Sequence, residues 1–151
     1  MVLRAWTPVV VWIVIIMVMA TDVFSGNRTA QMLYRFVTWL FPDVGWDIVG
    51  PLHSYLRKLG HLVGYAVLGA LAFRAWREAQ PQRQRWTAKW AVMAVGVATI
   101  VACCDETLQA FMTSRGGSML DVLLDASGAS FAQLFIRMRT RSSSTDKPGQ
   151  P

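Results

Sequence analysis

Polar and ionisable residues fall at helical spacings at the ends of, or inside, long apolar runs. Lys58, His61 and Tyr65 are spaced i, i+3, i+7 and so share one stripe of a helix. Asp105, Glu106 and Gln109 close a later apolar run, with Asp105 and Gln109 one turn apart. Arg115 follows beside Gly116 and Gly117. Beyond Ser118, Asp121 and Asp125 are again i, i+4, which gives the last run two carboxylates on one face. Asp125 stands about 10 Å along that helix from Ser118, at ~1.5 Å per residue. A carboxylate well inside a bilayer costs roughly 2.5–3.5 kcal/mol on insertion scales, so it must pair, protonate or meet water. Lys58, His61 and Arg115 are the candidate partners. Asp105, Glu106, Asp121 and Asp125 outnumber the two fixed cations, an excess that also suits a metal or a cationic ligand group.

Two chemistries use such a set. In a binding site, Lys58 and Arg115 contact phosphate or carboxylate through charge-assisted hydrogen bonds. Glu106, Asp121 and Asp125 then hold those cations and engage amines or hydroxyls. In an enzyme, Asp105 or Glu106 with Asp121 serves as general acid and base, or binds a divalent ion together with His61. The chain has neither a His-Glu-x-x-His nor a Gly-x-Ser-x-Gly pattern. Binding without catalysis and without a resident cofactor is therefore the favoured reading. Each group also has an ordinary counterpart. His61 suits a helix end met by lipid headgroups, Asp121 suits a helix amino terminus, and Asp105-Glu106 suits a solvated loop start. Convergence of three helices and a loop on one layer sets the group above these.

The elements that must position these residues are apolar blocks. Hydrophobic residues make up 54% of 151 residues, and mean hydropathy is +0.34. A bilayer core about 30 Å thick needs roughly 17–25 apolar residues per helical pass. The expected fold is all-α, a membrane bundle with spans near 6–21, 59–76, 86–104 and 118–136 within a domain of residues 1–137. The first span is read as uncleaved, although Val18-Met19-Ala20 loosely matches a signal-peptidase site. The connection 22–58 holds a run, 31–41, too short to cross and suited to an interfacial helix. Phe41-Pro42-Asp43 reads as its terminator and Val49-Gly50-Pro51 as a later turn. Glycines 64, 69, 96 and 128 offer small surfaces for close helix approach. Residues 138–151 read as a disordered cytoplasmic tail.

The net charge of +6 sits in segments flanking the apolar blocks, which fits anionic headgroups and orientation signals and argues against nucleic acid. Ten of the fifteen Lys and Arg fall on the side of the two termini. The positive-inside rule then places both termini in the cytoplasm and the polar layer on the extracytoplasmic side. Most of the seven Trp fall near the expected interfaces and read as an aromatic belt. Cys103 and Cys104 are adjacent and read as small buried apolar side chains, not as a disulfide or thiolate site.

The stretch Lys58-x-x-His61-x-x-x-Tyr65-x-x-Leu68 resembles the first signature of the VanZ-like family. The run Asp105-Glu106-x-x-Gln109-x-Phe111-x-x-x-Arg115-x-x-Ser118-x-x-Asp121-x-x-x-Asp125-x-x-Gly128 resembles its second. Ala132 departs from the pattern, where glycine is the expected residue. The resemblance implies a bacterial inner-membrane protein of about four helices. It also implies kinship with an accessory protein of glycopeptide-resistance clusters, associated with teicoplanin-type antibiotics. No settled biochemical activity comes with it. The expected partners are membrane lipid, a lipid-linked cell-wall precursor or a lipophilic glycopeptide antibiotic. The alternative is an intramembrane enzyme acting on a lipid or lipid-linked substrate. A small transporter subunit is disfavoured by four helices without an inverted repeat.

Overall fold

In a computed structural model, residues 2–21, 26–79, 86–111 and 117–145 are described. Among them the chain forms five α-helices and no strand: α1 (Val2–Ala20), α2 (Gly26–Leu40), α3 (Trp46–Glu78), α4 (Ala88–Ala110) and α5 (Met119–Thr145). Four of these, all but α2, are long and apolar enough to cross a bilayer.

Helix α3 is the centre of the bundle and packs against each of the other four. Its buried stripe Tyr65, Leu68, Ala72 and Ala75 repeats every three or four residues, as does Ala91, Ala94, Ala98, Val101 and Ala102 on α4. The seam is largely alanine, so van der Waals contact between close backbones holds the helices together. The closest approaches involve α5. A Cβ on Gly128 would run into the Leu62 carbonyl, and one on Gly69 would lie 3.0 Å from Ala129 Cα. Gly64 and Gly96 have nothing within 4 Å of such a Cβ. Only two of the four glycines named from the sequence therefore serve helix contact there.

The distribution of polarity is inverted relative to a soluble domain. Val10, Val14, Val63, Val92, Ile100, Leu123, Phe131 and Phe135 face outward, whereas Asp105, Glu106, Gln109, Asp125 and Gln133 are buried. Water does not drive that arrangement, but a hydrocarbon solvent does.

The structure departs from the sequence expectations at several boundaries. Helix α3 begins at Trp46, so Val49-Gly50-Pro51 is helical and not a turn. Pro51 lies in the second turn, where the missing N–H forfeits one bond, to the carbonyl of exposed Asp47. At 33 residues, α3 is about 50 Å long, well beyond the apolar core of a bilayer. Helix α2 begins earlier than the expected 31–41 and presents Met32, Phe36, Trp39 and Leu40 on an exposed apolar face. Helix α5 continues to Thr145, since no Gly or Pro interrupts it after Gly128 until Pro148. Residues 146–151 lie outside the described set. Cys103 and Cys104 are exposed and unpaired on α4, because that turn buries Val101, Ala102, Asp105 and Glu106 instead.

The far end of the bundle is aromatic and cationic. Trp6 packs edge-on to Trp76 at 4.8 Å, and Trp76 stacks on Trp90 at 5.7 Å. Lys89 lies over Trp90 and Arg137 over Trp86. This is the belt composition of a membrane–water boundary with basic residues beside it.

Candidate functional site

His61 is 15 positions before Trp76 on α3, about 22 Å at ~1.5 Å per residue from the aromatic end. The polar side chains gather at that level. Helix α3 supplies Arg57, His61 and Tyr65, helix α4 supplies Asp105, Glu106 and Gln109, and helix α5 supplies Asp125. Spacing one turn apart within each helix puts the polar groups on the faces that meet.

A chain of hydrogen bonds runs across the layer. Arg57 Nη2 donates to Gln109 Oε1 at 2.7 Å, and Gln109 Nε2 donates to Asp105 Oδ1 at 2.9 Å. Tyr65 OH donates to the other oxygen, Asp105 Oδ2, at 3.1 Å. His61 Nδ1 stands 3.5 Å from Asp125 Oδ2 and 3.9 Å from Asp105 Oδ2, between the two carboxylates. Its ring is stacked on Tyr65 with centroids 6.4 Å apart. Glu106 Oε2 accepts the Ser118 backbone N–H at 2.8 Å. Ser118 also caps α5, its Oγ accepting the Leu120 N–H at 3.2 Å. Gly117 leaves no room for a Cβ against the Glu106 carbonyl, so this short segment is pressed onto the last turns of α4.

Donor atoms of His61, Asp105, Glu106 and Asp125 all lie within 4.8 Å of one another. Glu106 Oε1 and Asp125 Oδ1 are buried without a hydrogen-bond partner. Three carboxylates and one imidazole in this volume can accept a cation, exchange protons, or receive donors from a ligand.

The layer opens into a cavity of about 420 Å³ between α1 and α3. Its walls include Trp12, Ile15, Ile16, Met19 and Leu56, and its polar lining includes Arg57, His61, Asp105 and Gln109. Trp12 Nε1 donates to the Gly64 carbonyl at 2.9 Å and ties α1 to this wall. A second cleft of about 440 Å³ lies among α2, α3 and α5, lined by Trp46, Lys58, Asp121 and Leu124 among others. His53, Arg57 and His61 border both clefts.

Of the residues singled out from the sequence, His61, Tyr65, Asp105, Glu106, Gln109 and Asp125 meet directly. Ser118 joins through its backbone. Lys58 is exposed and, with half-buried Asp121, lines the second cleft and not the central cluster. Arg115 lies outside the described residues. Arg57 and His53 lie outside both motif stretches, yet share the face of His61 at four-residue intervals. His53 Nε2 is 2.9 Å from Thr29 Oγ1 and so links α3 to α2. Gln133 lies outside the motif stretches as well. It donates to the Gly69 carbonyl at 2.9 Å and marks the contact of α3 with α5.

Comparison with curated proteins and with solved structures finds no match. The VanZ/LLP1 family model matches residues 5–140. That range takes in both signatures, most or all of every helix and the whole polar layer, and this integral membrane protein belongs to the VanZ/LLP1 family.

Proposed function

We propose that the protein binds an amphipathic, lipid-class ligand. The tail lies in the α1–α3 cavity and the head meets the polar layer. A lipid-linked cell-wall precursor, a phospholipid and a lipophilic glycopeptide antibiotic share this build. The observation that carries the reading is the cavity itself, whose apolar walls end on Arg57, His61, Asp105 and Gln109. Pockets of about 300–1,000 Å³ with few polar groups are the usual form of a small-molecule site. Arg57 supplies a bidentate donor for phosphate or carboxylate. The acids engage amines or hydroxyls.

The orientation belongs to the same reading. Both termini face the cytoplasm and the layer opens toward the envelope side, supported by the charge count and by the Trp, Lys and Arg belt opposite the site. The membrane is then the bacterial inner membrane, and a role in envelope maintenance or antibiotic resistance follows from the ligand.

The test is binding to purified full-length protein in nanodiscs, read by native mass spectrometry against each of the three ligand types. Retention of at least one, weakened when Ile16→Trp fills the cavity, is the expected result. Folded protein that retains none of them would refute the proposal.

An intramembrane enzyme is the second reading, favoured by the position of His61 and Asp105 in the cavity lining. Asp105 would act as acid or base on a lipid or lipid-linked substrate held there, with Glu106 beside it in the cluster. Turnover of such a substrate that disappears in Glu106→Gln separates it from binding alone.

A further inference from the structure

We infer that His61, Asp105, Glu106 and Asp125 form a binding site for one divalent transition-type cation, Mn²⁺ or Zn²⁺. This stands on the cluster alone and is independent of what fills the cavity.

Four donor atoms, one from each residue and drawn from three helices, lie within 4.8 Å of one another. Ligands around one such ion sit at about 2.0–2.2 Å, so opposite donors are up to about 4.4 Å apart. An octahedral ion therefore needs the widest pair to close by only a few tenths of an ångström, and a tetrahedral one, with donors about 3.3–3.6 Å apart, by more than an ångström.

Proximity of acids is not sufficient, and the orphaned oxygens are the second observation. Asp125 is fully buried and Glu106 is 6% exposed. Oδ1 of the one and Oε1 of the other receive no hydrogen bond. Buried carboxylate oxygens are normally satisfied, and a cation held by these two carboxylates would supply the partner that each side chain lacks.

Asp105 and Glu106 are also held from outside the cluster in a way that spares lone pairs. Tyr65 OH and Gln109 Nε2 take one donor position each on Asp105, and the Ser118 N–H takes one on Glu106. Neighbours of this kind fix the orientation of metal ligands and are part of what makes a site. Arg57, the nearest fixed cation in this chain of contacts, bonds Gln109 and not a carboxylate. This arginine therefore leaves the negative charge of the cluster unneutralised by a direct ion pair. With His61 neutral, three carboxylates and a divalent ion leave a net charge of −1, far easier to bury than −3.

The donor set selects the ion. Three carboxylate oxygens and one imidazole nitrogen suit Mn²⁺ or Zn²⁺, whereas Ca²⁺ takes six to eight oxygens. His61 Nδ1, which faces both carboxylates, is the coordinating nitrogen.

The test uses tag-free, full-length protein in detergent, stripped with a chelator and dialysed against MnCl₂ or ZnCl₂ separately. Bound metal is counted by elemental analysis. One ion per chain is expected, with affinity falling at least about tenfold in Glu106→Gln and Asp125→Asn. Asp43→Asn, at an exposed acid of the α2–α3 connection, retains binding. Helicity and monodisperse elution establish that each variant is folded. Should those two variants not fold, Mn²⁺ bound to His53→Asn protein is read by pulsed electron paramagnetic resonance. His61 is then the remaining histidine, and nitrogen coupling to the ion is expected. Failure of both ions to bind the unsubstituted protein overturns the site. So does undiminished binding by the folded Glu106→Gln and Asp125→Asn variants, or bound Mn²⁺ without nitrogen coupling. In each of those cases the cluster is balanced by protons.

Discussion

Tyr65 of α3 and Asp105 of α4 are joined by a 3.1 Å hydrogen bond with both side chains withdrawn from the surface. The phenol is one of two donors to that carboxylate, Gln109 being the other. Tyr65→Phe keeps the ring and removes the donor. Losing a bond to a buried charged group costs about 1–3 kcal/mol. Thermal unfolding in detergent should register this loss, and a midpoint equal to that of the unsubstituted protein would contradict the pairing.

Gly128 and Gly96 separate contact from mere helix interior. Gly128→Ala drives a methyl group into the Leu62 carbonyl, and overpacking of that kind costs about 1–3 kcal/mol. Gly96→Ala meets nothing within 4 Å. It should be neutral or stabilise by up to about 1 kcal/mol through helix propensity. Reversal of that order in denaturation measurements would mean that α3 and α5 do not approach as described.

Arg57 and Lys58 are adjacent in sequence and differ in placement. Arg57 reaches Gln109 and borders both clefts, whereas Lys58 is exposed and borders one. If the head of the ligand is anionic, Arg57→Gln should weaken binding by about tenfold or more, equivalent to roughly 1.4 kcal/mol. Lys58→Gln should change it by about twofold or less, in keeping with a solvent-screened charge. Titration of both variants with the same ligand compares them directly, and equal losses would argue against a specific contribution from Arg57.

Orientation is checked at the two ends of α4 and the end of α5. In a background with Cys103 and Cys104 replaced by Ser, single cysteines are placed at Ala88, Phe111 and Arg141, all exposed positions. An impermeant thiol reagent on intact cells should label position 111 and spare 88 and 141. The opposite pattern would turn the site toward the cytoplasm, and the ligand search with it.

The apolar blocks were readable because hydrocarbon imposes a length and a composition on every span. Pairs one turn apart were readable too: His61 with Tyr65, and Asp105 with Gln109, need only the helical period. The start of α3 was hidden because Gly50-Pro51 is the usual writing of a turn, and a proline near a helix start is tolerated for reasons of local bonding. The four-residue rhythm of His53, Arg57, His61 and Tyr65 becomes one face only with α3 starting at Trp46. The choice between Arg57 and Lys58 depends on where α4 stands, which no period within α3 encodes. Glu106 was named as an acid, but its clasp by the Ser118 N–H depends on how residues 117 and 118 fold back on α4.

The composition of the α1–α3 cavity wall has a consequence for selectivity. Trp12, Ile15, Ile16, Met19 and Leu56 offer an acyl chain an environment no more apolar than the surrounding lipid tails. Leaving the bilayer for this wall therefore gains a chain little transfer free energy. Bulk lipid, present at far higher local concentration than any scarce guest, competes for the same space on equal terms. Discrimination among guests falls to the few polar atoms in the lining, and chain length should matter much less than head chemistry.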